Sequence, residues 1–318
     1  MNNNTIFHKA ALTKILAKLA FVALGFAATA AYATNYSLWV NGRGNTATPS
    51  NYNAFNYWGP STTAAGVNKV AVNWDGYNSI ASQHSKVKDA FDCFCTGKNW
   101  CYVATHSAGD LMTGYVLSNY GTSTRTIKTP PPPATTPATG ISGGGQCVAA
   151  SGAGSGTQTG WNIKWVRAAG GAGGGSELAD YGVGLGVNKN EPLVADLKTT
   201  TARAMFNHNV TSGIWFYMAA GGKGTLYSAI LPGQDDEAVA YHSSGGISGT
   251  SGIALGNPAD LWSNDLNMLT AVNEGGSTKW SWHSVVSRDD SEVFNHYANS
   301  AWQGIISVVR AAMASLAI

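Results

Sequence analysis

The residue of this chain best placed to do chemistry is a serine between small neighbours. Thr105-His106-Ser107-Ala108-Gly109 follows a short apolar run at 100–104 and precedes Asp110-Leu111-Met112-Thr113-Gly114-Tyr115-Val116-Leu117, which reads as a helix. A hydroxyl held out on a sharp strand-to-helix turn can serve as a nucleophile. Small residues must flank such a turn because its backbone is strained and crowded. Thr105 stands where these turns usually carry glycine. The plainer role for Ser107 is a helix N-cap. The ring of His106 is expected to point away from its neighbour Ser107 and pack beside the turn.

A serine hydroxyl is a weak nucleophile near neutral pH and needs a base, usually histidine, oriented by a carboxylate. If the acid follows the serine and the histidine comes last, few candidates remain. The turn Pro232-Gly233-Gln234-Asp235-Asp236-Glu237-Ala238-Val239 follows an apolar run at 226–231, read as a strand. A carboxylate just past a buried strand is well placed to face a ligand. Asp236 is the chosen acid because Val239 at i+3 can anchor its loop, with Asp235 as the alternative. His84, His106 and His208 precede this acid, and His242 is too close to it in sequence to reach round easily. That leaves His283, read as a loop residue before the last helix, and His296, read as part of the helical pattern. A loop lets an imidazole swing over the nucleophile, which favours His283 over His296. Oxyanion donors are needed as well. The backbone N–H of Ala108 is one, and that of Arg43 in Asn41-Gly42-Arg43-Gly44 is the other, with Gly42 permitting close approach.

The elements that must position these groups alternate. Residues 36–40 and 69–73 read as strands, and 79–94 as a helix with Ile80, His84, Val87, Phe91 and Phe94 on one face and Ser79 as its cap. The elbow strand follows, and the helix after Ser107 stops by Gly121. Strands are expected again at 162–167 and 214–218, and a helix or two broken helices from 290 to about 316 with Val293, Tyr297, Ile305, Val308 and Val309 as core contacts. This rhythm predicts a mostly parallel sheet with helices on both faces. Residues 122–160, rich in Thr, Pro, Gly and Ser, interrupt it and read as a flexible surface insertion in one domain. The glycine run at 170–175 lacks a Gly-Lys-Ser/Thr ending, which argues against a phosphate loop.

Residues 1–33 read as a signal peptide, with Lys9, Lys14 and Lys18, an apolar run at 19–30 and an Ala31-Tyr32-Ala33 cleavage site. The single domain is then 34–318, and a secreted or periplasmic location follows. The leader holds three lysines and no acids, so 16 basic residues face 17 acidic ones in the remainder. That balance gives no reason to expect nucleic-acid binding, and no second apolar span suggests a stable membrane anchor. Cys93, Cys95, Cys101 and Cys147 suit an oxidising compartment and allow three pairings. A local Cys95–Cys101 bridge is attractive, leaving Cys93–Cys147 to tie down the insertion. No histidine pair stands at ligand spacing beside them, which argues against zinc.

Taken in order, V-N-G-R-G, V-A-T-H-S-A-G-D, G-G-G-S-E-L and L-P-G-Q-D-D-E-A-V span nearly the whole chain after the leader. With these motifs the sequence resembles a secreted bacterial lipase or esterase of the α/β-hydrolase superfamily. Asn41 stands where many lipases have histidine. The resemblance implies cleavage of a small-molecule or lipid ester through an acyl-enzyme, with no cofactor. A peptidase, amidase or acyltransferase could use the same residues, and a non-catalytic secreted binding protein is the remaining alternative.

Overall fold

Six segments rich in β-branched and aromatic residues form one sheet: β1 (Asn35–Val40), β2 (Val67–Val72), β3 (Trp100–His106), β8 (Ile163–Ala169), β9 (Phe216–Ala220) and β10 (His283–Arg288). Their order is β10-β9-β8-β3-β1-β2, and every pairing is parallel. This is an α/β-hydrolase-like arrangement. The computed structural model describes residues 33–45, 52–132, 147–182, 190–224, 227, 230–231, 235–244, 280–289, 291–297 and 304–316. All lie in the second of two units into which the chain divides, Ala33–Ile318. The leader at 1–32 falls outside the described residues. Among those described, no helix is long and apolar enough to cross a membrane.

Parallel strands need crossovers, which helices supply. Helix α1 (Ile80–Phe94) joins β2 to β3, and α2 (Ala108–Tyr120) leaves β3. Ser79 caps α1 by accepting from the Ser82 N–H at 3.3 Å, and Ile80, Val87, Phe91 and Phe94 turn inward at helical spacing. Side chains alternate across the strands, so the sheet has two apolar faces. Leu38, Val40, Val103, Phe216 and Met218 pack with α1 and α2 on one side. Trp39, Tyr102, Ala104 and Ala219 pack with Trp58 and the last helix, α7 (Ile306–Ala314), on the other. Both faces are thus covered, as a parallel sheet requires.

Residues 122–132 and 147–160 carry short strands and a single 3₁₀ turn. Strands β4 (Thr124–Thr126) and β7 (Thr157–Thr159) form one antiparallel pair, and β5 (Lys128–Thr129) and β6 (Val148–Ala149) another. The bridge Cys93–Cys147 ties this region to α1, and Cys95–Cys101 closes the short loop before β3. The remaining short helices are α3 (Glu177–Tyr181), α4 (Pro192–Asp196), α5 (Thr199–Ala204) and α6 (Tyr241–Ser244).

Two sequence expectations change here, and both bear on the site. Residues 227, 230 and 231 are not strand; the amides of Ile230 and Leu231 donate to the Tyr227 carbonyl in a turn. The strand before the acid loop is therefore β9. Residues 291–297 are not helix either: His296 sits in irregular chain, while His283 opens β10. Ile305 and Val309 are buried as expected, whereas Val293 and Tyr297 are 55% and 40% exposed.

Candidate active site

Strand β3 ends at His106, and Ser107 turns the chain with φ 57° and ψ −131° before α2 begins. A non-glycine residue in such a conformation costs on the order of 1–3 kcal/mol. Main-chain bonds enforce it. The Ser107 N–H donates to the Ala169 carbonyl at 3.1 Å, and the Ser107 carbonyl accepts from the Ala172 N–H at 3.0 Å. The serine hydroxyl makes no capping bond to α2, which separates this turn from an ordinary N-cap. Thr105 is fully buried, and its hydroxyl has no hydrogen-bond partner among the described residues. The glycine that the turn cannot lose is Gly109. A Cβ there would lie 2.7 Å from the Val40 carbonyl oxygen and 2.6 Å from that of Asn41.

The loop after β1 crosses directly over the elbow. A Cβ on Gly42 would meet the Ser107 Cβ at 2.6 Å. Asn41 shapes this loop rather than reaching into the site. Its Nδ2 donates to the Gly42 carbonyl at 2.8 Å and to the Trp74 carbonyl at 3.2 Å, while its Oδ1 accepts from the Trp74 N–H at 3.1 Å. The Trp74 indole N–H in turn donates to the Asn41 carbonyl at 2.7 Å. The Arg43 guanidinium is held away by a bidentate pair with Glu191, at 2.8 and 2.9 Å. Ala108, directly after Ser107, heads α2.

Asp236 is fully buried. Its Oδ1 accepts from the amides of Ala238 and Val239 at 3.1 and 2.8 Å, the i+3 anchor its spacing suggested. Its Oδ2 accepts from Nδ1 of His296 at 2.8 Å, and its carbonyl accepts from the His296 N–H at 2.6 Å. With Nδ1 donating to the carboxylate, the lone pair of His296 lies on Nε2. Asp235 is buried as well, but its Oδ1 accepts from the Glu237 N–H at 2.6 Å and turns to its own loop. Asp289 holds the chain leading to the histidine, its carboxylate accepting from the amides of Gly222, Val293 and Phe294. Ser107, His296, Arg43 and Tyr297 line one cavity of about 80 Å³, whose remaining wall includes Ala172, Leu178, Ala179, Val194, Leu197, Ala238 and Val239.

His283 is elsewhere. Its ring stacks on Phe216 at 4.8 Å and packs edge-on to Trp280, and its Nδ1 lies 2.8 Å from the Ser281 carbonyl. It lines a different cavity, of about 10 Å³, with Asp110 and His208. The pairing with Asp236 thus belongs to His296, not to His283. His296, read as part of a helix, lies in irregular chain, whereas His283, read as a loop residue, opens a strand. Burial pushes the Asp110 carboxyl up to about 7 despite a backbone hydrogen bond with Gly173. Burial likewise draws His208 down to about 4. Sequence reasoning also passed over Tyr57, whose hydroxyl lies 2.6 Å from Nδ1 of His106. No spacing pattern marks that tyrosine.

No family model matches the chain, and no curated protein matches it. Solved structures with a similar course include a metagenomic carboxyl esterase at 12% identity, covering 65% of this chain and 59% of that one, with a TM-score of 0.39. The mature form of a Bacillus licheniformis lipase matches at 12% identity over 67% of this chain and 79% of its own, TM-score 0.38. A Legionella pneumophila phospholipase matches at 12% identity over 66% and 45%, TM-score 0.39. The chain spans well under two thirds of the esterase and of the phospholipase.

Proposed function

We propose that the protein is an exported serine hydrolase of carboxylic esters, with Ser107 as nucleophile, His296 as base and Asp236 as acid. One observation carries this reading. Ser107, strained on a strand-to-helix turn, opens on the same cavity as a histidine already bonded to a buried carboxylate. In the proposed reaction Nε2 of His296 takes the Ser107 proton as Oγ attacks the acyl carbon. Asp236 keeps Nδ1 protonated and stabilises the imidazolium that forms. The amides of Arg43 and Ala108 receive the oxyanion. The alcohol leaves with the proton returned by Nε2, and water, activated by the same nitrogen, releases the acid. The two disulfides support export to an oxidising compartment.

The cavity wall supports a substrate with a short acyl group. It is apolar on the side of Leu178, Val194 and Leu197. At about 80 Å³ the cavity is small, which favours a short acyl group over a long one. A series of p-nitrophenyl esters tests this, with acetate to butyrate expected to outrun laurate. Reaction with a fluorophosphonate, followed by mapping of the labelled peptide, tests the nucleophile. A Ser107→Ala protein that still labels and hydrolyses like its parent would overturn the assignment.

A further inference from the structure

His106 is fully buried beside the elbow, yet it is bonded at both ring nitrogens. Its Nε2 lies 3.1 Å from the carbonyl oxygen of His296. A carbonyl only accepts, so Nε2 carries the hydrogen. Burial, reinforced by the neighbouring His296, drives the ring's proton affinity well below the ordinary histidine value. The imidazole is therefore neutral, its Nδ1 bears the lone pair, and the Tyr57 hydroxyl donates to it at 2.6 Å. The same hydroxyl has a backbone hydrogen bond with Gly42 and lies beside the hydroxyl of Tyr297. One phenol thus touches the oxyanion loop, the elbow strand and the loop bearing His296. The rings of His106 and His296 pack 4.5 Å apart.

We propose that Tyr57 and His106 are positioning residues: His106 grips the His296 carbonyl and so fixes where that imidazole stands in the cavity it shares with Ser107, and Tyr57 locks His106 in the tautomer that can grip. The inference rests on the hydrolase reading above. His296 lies in irregular chain with no helix or strand to hold it. Its Nδ1 and its amide are tied to Asp236 on one side, and its carbonyl to His106 on the other. Releasing one side lets the ring drift, and a misplacement of about 1 Å can cost on the order of 100-fold in rate.

The test compares His106→Leu, His106→Gln and Tyr57→Phe in the full chain by ester hydrolysis, with active sites counted by fluorophosphonate. Leucine fills the space but cannot donate. Glutamine carries an N–H at the same distance from its Cβ as Nε2 of histidine. His106→Leu should lower kcat by about 30- to 100-fold with KM nearly unchanged, Tyr57→Phe less, and His106→Gln should recover most of the rate. Because loss of a buried imidazole can unfold the protein, Tyr57→Phe, which removes one oxygen, decides the matter if the leucine variant is not folded. Folded Leu or Phe variants with the parent's kcat would overturn the proposal, as would a Gln variant as slow as Leu. A parent protein that neither labels nor hydrolyses would instead overturn the hydrolase reading itself.

Discussion

Two cavities lie beside the start of α2: one is lined by Ser107 and by His296, which is bonded to the buried Asp236, and the other by Asp110, His208 and His283. On one side Asp236 is fully bonded: two backbone amides on Oδ1 and His296 on Oδ2. On the other, Asp110 has an Oδ1 without a hydrogen-bond partner among the described residues, and the rings of His208 and His283 stack on Trp280 and Phe216. The first cavity is about 80 Å³ and the second about 10 Å³, room for a single water. Residue types alone would allow an acid–base pair in either. What separates them is hydrogen bonding: Asp236 has donors on both oxygens, whereas burial of Asp110 favours its protonated form.

The sharpest break would come from the nucleophile. Ser107→Ala should lose at least about 10⁴-fold in kcat/KM, measured against a short-chain ester, because Ser107 is the group proposed to carry the acyl intermediate. Next come the two acid–base clusters. Asp236→Asn should cost about 10⁴-fold by releasing the wrong tautomer of His296, and His296→Gln should be similarly poor. His283→Gln should keep kcat/KM near the parent's value, although it disturbs the packing against Phe216. A loss in His283→Gln as large as that in His296→Gln, with both folded, would erase the distinction between the cavities.

The second cavity should show itself in stability instead. The Asp110 pKa is raised in the folded state from 3.8 to about 7. Folded protein then binds a proton that unfolded chain has lost between these values. The stabilisation is complete below about pH 4 and declines as pH rises through 7, on the order of a few kcal/mol. Asp110→Asn keeps the shape and stays neutral, so the fall in its melting temperature from pH 5 to pH 8 should be much smaller than the parent's. Parallel profiles for the two proteins would refute a protonated Asp110. The smallest effect concerns the acyl wall. Val194→Ala should shift preference toward longer acyl chains by a few-fold up to about 10-fold, read as ratios of kcat/KM along an ester series.

Much of this architecture could be read from the chain before any coordinates. Strands β1, β2, β3, β8 and β9 lie within about two residues of their apolar runs, and Ser79 caps α1, because local patterning and capping decide such elements. The elbow was legible because small residues flank Ser107 between an apolar run and a helical pattern, whereas the part played by the glycines near 170–175 was not. Cβ atoms on Gly171 and Gly173 would run into the Asp110 carboxylate at 2.5 and 2.9 Å. The histidines were less legible. Residues 290–297 carry a helical pattern, yet Asp289 takes up the amides of Val293 and Phe294 and turns the chain into a loop. Trp280-Ser281-Trp282-His283-Ser284 looks like a loop, yet parallel pairing with β9 takes His283 and Ser284 into β10. Both outcomes depend on partners more than 60 positions away in sequence or on a single side chain, which periodicity does not register. Tyr57 belongs to the same class, since its neighbours come from three distant segments.

Fluorophosphonate labelling of three folded proteins tests the central claim most directly: the parent, His296→Gln and His283→Gln, with the adduct located by peptide mass spectrometry. The account predicts an adduct on Ser107, formed at the parent's rate in His283→Gln and drastically slowed in His296→Gln. An adduct on another residue, or equal labelling rates in His296→Gln and the parent, would contradict it.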